Sequence, residues 1–431
     1  MKVHEVRDSI HVFIRYDDAE RRVLDSRPFQ RLRHIHQLAM TYLVYPGATH
    51  RRFEHSLGVM ELATRVYDVV TQFPTGSVSS LLPKPGTYEW QYWRRVLRMA
   101  ALCHDLGHLP FSHAAERELL PEGWDHERIT AQIVCDGELK PIWESIKIKA
   151  EDVAKIAIGP KKYRDGLFDT WEAILAEIIS GDAFGADRMD YLLRDSYHAG
   201  VTYGKFDHYR LIDTLRILPK AYEQSEEPCL GVEEGGLHCA EALLFARYFM
   251  YIQVYFHPIR RIYDIHLCDF LKDWLPSGKF PTKIEELLKI TDNEVTAELL
   301  TAAQNSSHRA HLHAQRVVNR KHFRLIYERN PDDCAVNPDA AKNLYDALCG
   351  RYGTDNVRFD SFREKSSAVS FPVLNKDSRV VSALALSQTM AKLSLVTVDF
   401  VFISLEKREE AKRWLEENRK TLIAPKGEQE S

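Results

Sequence analysis

Apolar residues at helical spacing constrain this chain more than any other feature. Between Leu57 and Val70 they fall at Val59, Leu62, Ala63, Val66, Val69 and Val70, which is one stripe of a helix with 3.6 residues per turn. Phe73-Pro74-Thr75-Gly76 ends that helix. A second stripe, Trp90, Trp93, Leu97, Ala100 and Ala101, sets Arg94, Arg95 and Arg98 on the opposite face, and Gly107 and Pro110 close it. Further helices are expected over 173–180 and 187–196, with one long aromatic-rich helix over about 239–271. The alternation His11-Val12-Phe13-Ile14 predicts a short strand or hairpin near the start. After roughly 276 the texture changes to short helices over 282–317 and strands near 323–327, 356–359, 368–371 and 396–404, then a helix over 409–418. The expected fold class is therefore mainly α. A helical core spans 1–275, a smaller α+β region spans 276–424, and a disordered tail covers 425–431.

Composition removes whole classes of function. Hydrophobic residues at 45% and charged residues at 28% suit a globular chain and not a disordered one. The 58 basic and 62 acidic residues leave a charge of −4, which argues against a protein that lives on phosphate-backbone contacts with nucleic acid. No apolar run reaches the length needed to span a bilayer, so no membrane partner is expected. The seven cysteines include no C-x-x-C pair. A disulfide framework and a zinc ribbon are disfavoured, and a reducing cytoplasmic location is expected.

The chemistry concentrates in Cys103-His104-Asp105-Leu106-Gly107-His108-Leu109-Pro110-Phe111-Ser112-His113. Neighbouring side chains on a helix point about 100° apart, so His104 and Asp105 converge on one point only if the helix end or the metal sits between their directions. Imidazole beside carboxylate suits a divalent ion such as Mn, Mg, Fe or Ni. His104 continues the inward stripe of its helix, where a buried imidazole needs a partner. His55 opens the earlier helix. Asp187, Tyr191 and Asp195 are each four apart and share one helix face, a polar set suited to a pocket wall.

Three extended segments carry a resemblance: Pro46–Val59, the His104–His113 run, and Asp187-Arg188-Met189-Asp190-Tyr191. In order and spacing they resemble the HD-domain deoxynucleoside triphosphate triphosphohydrolases, over roughly residues 1–275. The resemblance implies an HD-domain helical core and metal ligands His55, His104, Asp105 and Asp187. It implies a catalytic and phosphate-contacting set of His108, His113, His126, Glu127 and Glu116, the last standing where the vertebrate enzymes carry Asp. Arg52 and Arg188 would contact phosphate, Gln37 and Asp195 the sugar hydroxyl, and Tyr191 and Tyr255 the sugar. The segment Leu24–Arg33 resembles a guanine-nucleotide activator site, with Asp25, Gln30 and Arg33 as contacts for GTP or dGTP. The implied activity is metal-dependent hydrolysis of a dNTP to deoxynucleoside and triphosphate, by a homo-oligomer (dimer or tetramer).

Plainer readings stand beside these. Tyr248, Tyr251 and Tyr255 have helical spacing that suits core packing, and His308, His311 and His313 read as solvent-exposed. Rival functions are an HD phosphohydrolase or phosphodiesterase acting on another nucleotide or on single-stranded nucleic-acid ends, and a non-catalytic nucleotide sensor. Tyr191, Asp195 and Gln37 favour a sugar pocket, whereas a wide basic groove would favour polynucleotide.

Overall fold

The apolar stripe of residues 57–70 becomes the helix around which the first part of the molecule is built. A computed structural model describes residues 2–112, 116–220, 227–363, 370–393 and 395–424. His113 and the tail expected over 425–431 lie outside the described residues. The N-terminal alternation forms an antiparallel hairpin of β1 (Val3–Asp8) and β2 (Val12–Asp17). Then follow α1 (Asp18–Asp25), α2 (Arg27–Arg31), α3 (Arg52–Gln72), α4 (Tyr88–Cys103), α5 (Glu116–Leu119) and α6 (His126–Cys135). After them come α7 (Lys140–Ile146), α8 (Ala150–Ile158), α9 (Thr170–Ser180) and α10 (Ala186–Ala199). Helices dominate, as expected of a mainly α fold.

Helix α3 packs on α4, α9 and α10. Val59, Leu62, Val66 and Val70 of α3, and Val96, Leu97, Ala100 and Ala101 of α4, are wholly buried. At roughly 25 cal/mol per Å² of apolar surface removed from water, this seam is the main source of cohesion. Gly58 lets α10 approach: a Cβ there would stand 1.9 Å from Asp190 Oδ1 and 2.5 Å from an Arg194 nitrogen. The face opposite the stripe is partly buried too, as Arg98 shows. Its guanidinium donates to both carboxylate oxygens of Glu20 at 2.5 and 2.9 Å, to Thr64 at 2.7 Å and to the Arg15 carbonyl at 2.8 Å.

The contacts divide the chain into two units. One holds Met1–Met250, Lys279–Val295 and Ala368–Leu393; the other holds Tyr251–Gly278, Thr296–Ser367 and Ser394–Ser431. This interleaving is a different partition from a single cut at 275/276. In the first unit, the strands Leu215–Pro219 and Pro228–Glu233 pair antiparallel, and Pro372–Leu374 adds in parallel to the second of them. Val380–Ser382 completes that sheet. The strands Leu215–Pro219 and Pro228–Glu233 have no strong alternation and escape the sequence reading.

The second unit is an α+β assembly. Strands Arg324–Glu328, Val357–Arg363 and Thr397–Ile403 form an antiparallel sheet with Thr397–Ile403 in the middle. Helices Ala340–Tyr352 and Arg408–Ile423 cover it through Leu344, Leu348 and Leu415. The long helix expected over 239–271 is broken. Leu237–Met250 is α-helical, Tyr251–Tyr255 winds as a π turn, and Pro258–Trp274 is a new helix. Pro258 lacks the N–H that a continuing helix would need, and the side chain of His257 caps the helix that starts there.

Candidate metal centre and active site

Four elements bring the expected ligands together. Helix α3 begins at Arg52, with the Glu54 carboxylate accepting from the Arg51 N–H at 2.7 Å, so His55 sits in its first turn. Helix α4 stops at Cys103 with His104 as its cap, and the chain turns sharply enough for Asp105 to face the same point. Gly107 permits that turn, since a Cβ would lie 2.1 Å from the His126 carbonyl. Helix α10 supplies Asp187 from its first turn. His55 Nε2 lies 3.0 Å from Asp187 and 3.8 Å from Asp105. His104 Nε2 lies 3.3 Å from Asp105 and 3.7 Å from Asp187.

The outer nitrogens fix the tautomers. His55 Nδ1 meets Asp190 at 2.8 Å and His104 Nδ1 meets the Ala101 carbonyl at 2.8 Å. Both partners only accept, so each Nδ1 carries a proton, and each Nε2 is the atom that would hold either a second proton or, once neutral, a metal ion. His104 Nε2 is buried and has no hydrogen-bond partner. Two lone pairs facing two carboxylates repel unless a cation or a proton lies between them. This donor set fits a divalent ion. Burial pushes the His55 imidazolium down, but the hydrogen bonds it donates to Asp187 and Asp190 outweigh it and raise its pKa to about 10. Burial also opposes the charge of Asp105, yet Arg52, His104 and His108 hold its carboxyl well below the usual range.

Behind the ligands lies a buried layer that the sequence reading missed. Asp190, fully buried, accepts from His55 and also from His11 Nε2 at 2.7 Å and from Arg194 at 2.8 and 3.0 Å. Arg194 continues to Asp8 at 2.8 Å. The available signal was the i, i+4 spacing of Asp190 and Arg194 on the helix that carries Asp187. Nothing local marked His11, which lies in the hairpin turn far away in sequence.

A second group stands beside the first. His108 Nε2 lies 3.1 Å from Asp105, and its ring stacks on that of His126 at 4.0 Å between centroids. Glu116 accepts from the His126 backbone N–H at 2.8 Å and from His126 Nδ1 at 2.6 Å. The environment separates the two imidazoles. Burial, with Arg52 and His126 as neighbouring cations, lowers His108 well below its ordinary value. Burial opposes charge at His126 too, but the Glu116 hydrogen bond prevails and raises it. Glu127 Oε1 takes Lys162 at 3.1 Å, and its other oxygen lies 3.3 Å from His126. Arg52 pairs with Asp105 and donates to Ser112 Oγ at 2.8 Å.

The expected sugar-side residues are spread more widely. Tyr191 and Asp195 share the α10 face with Asp187, and buried Asp195 accepts from His50 at 2.8 Å. Gln37 Oε1 is buried without a hydrogen-bond partner. Arg188 is half-buried beside Asp187. Tyr255 lies in the π turn of the second unit. In the activator segment, Gln30 accepts from Arg33 at 3.0 Å, the Arg33 guanidinium lies 3.5 Å over Phe53, and Asp25 is exposed with Arg21 at 3.5 Å.

The second unit contains a third cluster, His266, Asp269 and His313. His313 is half-buried, and so are His308 and His311, which corrects the solvent-exposed reading. Here the lone pairs are occupied, although His266 Nδ1 is buried without a hydrogen-bond partner. The Phe323 N–H donates to His266 Nε2 at 3.1 Å, Arg316 to His313 Nδ1 at 3.2 Å, and Arg358 to Asp269 at 3.1 Å.

Comparison with known proteins agrees with the first site. An HD domain model matches residues 52–194, and an HD associated region model matches 206–346. The deoxynucleoside triphosphate triphosphohydrolase SAMHD1 of Gallus gallus is 29% identical over 381 residues, covering 80% of this chain and 58% of that protein. The uncharacterized protein YwfO of Bacillus subtilis is 36% identical over 269 residues, covering 62% of this chain and 54% of that one. The chain spans about half the length of the curated relatives it matches. The crystal structure of a hypothetical protein from Aquifex aeolicus matches with a TM-score of 0.78 at 33% identity, covering 96% of this chain and 100% of that one. Ligand geometry, family models and this whole-length likeness agree: the chain belongs to the HD-domain phosphohydrolase family.

Proposed function

We propose that the protein hydrolyses deoxynucleoside triphosphates to deoxynucleoside and triphosphate. The observation that carries this reading is the pair of stacked imidazoles, His108 and His126, with opposite charge preference beside the His55, His104, Asp105 and Asp187 cluster. A divalent ion held by those four residues, Mn, Mg, Fe or Ni, would supply Lewis-acid chemistry and water activated near neutrality. Arg52 and Arg188 neutralise phosphate oxygens, a task for which the guanidinium fork is suited. His126, kept charged by Glu116, protonates the leaving 5′-oxygen, and neutral His108 offers a hydrogen bond to the phosphate. Glu127 anchors the same helix end through Lys162, and His113 is assigned to the same group by resemblance. Gln37, Tyr191 and Asp195 are assigned to the sugar. The orphaned Gln37 oxygen supports this, because a sugar hydroxyl would satisfy it.

Asp25, Gln30 and Arg33 are assigned to a GTP or dGTP activator, in a cytoplasmic homo-oligomer. Asp25→Ala is expected to abolish activation by guanine nucleotide and to leave metal content unchanged; activation that survives removes the assignment. The primary test is product analysis with each dNTP, singly and mixed, with Mn or Mg and with or without GTP. Deoxynucleoside plus triphosphate is expected. Monophosphate or diphosphate products, or no turnover, would overturn the reading.

A further inference from the structure

The loop after the His104-Asp105 pair is held in an unfavourable shape. Phe111 and Ser112 are consecutive non-glycine residues with φ of 54° and 55°, a left-handed conformation that L-residues adopt only at a cost. Both are buried. Something outside the loop must hold it, and the structure identifies what does. Asp292, from the Lys279–Val295 segment of the same unit, is 1% exposed. Its Oδ1 accepts from the Phe111 N–H at 2.7 Å. Its Oδ2 accepts from the His36 N–H at 2.7 Å and from His36 Nδ1 at 2.6 Å. The His36 ring stacks parallel to Phe111, 5.9 Å away. Arg31 adds a second tie, donating to the His108 carbonyl at 2.8 Å and to the Ile290 carbonyl at 3.0 and 3.1 Å.

The loop in turn aims a side chain at the site. Ser112 Oγ accepts from Arg52 Nε and lies 3.4 Å from the His36 carbonyl. We infer that Asp292 is a positioning residue: it holds the left-handed Phe111–Ser112 turn, which places Ser112 Oγ against Arg52 and so orients the guanidinium that receives phosphate. The role of Arg52 here rests on the proposed function. Only a carboxylate suits position 292, because all three partners arrive as donors. An amide would turn an N–H toward at least one of them. The chain of contacts meets the metal ligands only at its end, where Arg52 also pairs with Asp105; the other three ligands lie outside it, so its main effect falls on phosphate grip.

The test compares Asp292→Asn, Ser112→Ala and the double variant, each loaded with Mn. Metal content, inorganic triphosphate binding and amide exchange at Phe111 are measured. Metal content is expected to stay constant. Asp292→Asn weakens triphosphate binding at least tenfold and speeds Phe111 exchange. Ser112→Ala weakens binding alone, and the double variant is no weaker than the worse single, as coupled groups require. Additive losses, or unchanged binding in Asp292→Asn, would overturn the inference. If the unmodified protein neither binds triphosphate nor turns over a dNTP, the proposed function fails, and Phe111 exchange still decides the brace: faster in Asp292→Asn supports it, unchanged rejects it. Should that variant not fold, rapid Phe111 exchange in the unmodified protein rejects the brace by itself.

Discussion

Two clusters in this molecule use the same residue types and differ in what their far nitrogens do. At His55 and His104, each Nδ1 donates to an acceptor, leaving both Nε2 atoms turned on Asp105 and Asp187 to hold a proton or a cation there. At His266 and His313, the lone pairs already take hydrogen bonds from a backbone N–H and an arginine, and Arg358 occupies Asp269. Spacing within 4.8 Å is common to both. The difference shows that proximity of His and Asp does not make a metal site. The partners behind them, which set tautomer and charge, decide it.

The largest test of this contrast is His104→Ala. Metal retention after dialysis should be lost, and any turnover with it. Retained metal at wild-type stoichiometry would erase the distinction between the clusters. Next is Asp190→Asn, which leaves every ligand in place and weakens the acceptor behind His55. Changes of this kind typically cost about 10–100-fold in metal affinity, measurable by titration calorimetry; an unchanged affinity would show that the second layer is idle.

A smaller effect separates the two stacked imidazoles. His126 has a raised pKa because Glu116 favours its charged form. A raised histidine keeps its proton below that pKa and loses it as pH rises through it. Glu116→Gln removes the favouring charge, lowers the pKa, and moves the alkaline limb of the pH–rate profile to lower pH. A limb that stays or moves upward would exclude His126 as the acid. The smallest expected effect is none: His313→Ala should leave metal stoichiometry and affinity as they are, by elemental analysis and calorimetry.

The sequence made the ligand-bearing elements legible because each lies on a strong period. The α3 stripe ran into His55, the α4 stripe ran into His104, and Asp187 opened a helix with Tyr191 and Asp195 at i+4 and i+8. The supporting residues were not legible, since their meaning is wholly tertiary. His11 meets Asp190 across 179 residues, and Asp292 meets Phe111 across 181. The break at Tyr251–Tyr255 was hidden because its aromatic composition suits an uninterrupted helix, although Pro258 pointed to it. The burial of Arg98 on the face opposite the apolar stripe was not legible either, because Glu20, its partner, is 78 residues away.

The interleaved chain path has a consequence for synthesis. All four expected metal ligands have been polymerised once residue 187 is made, but Asp292 and the strand Pro372–Leu374 belong to the same unit and are made much later. A nascent chain therefore displays its histidines and aspartates well before the carboxylate that holds the Phe111–Ser112 turn exists. During that interval the loop has no reason to keep its left-handed form, and the first unit is completed only after the strand Pro372–Leu374 has been made.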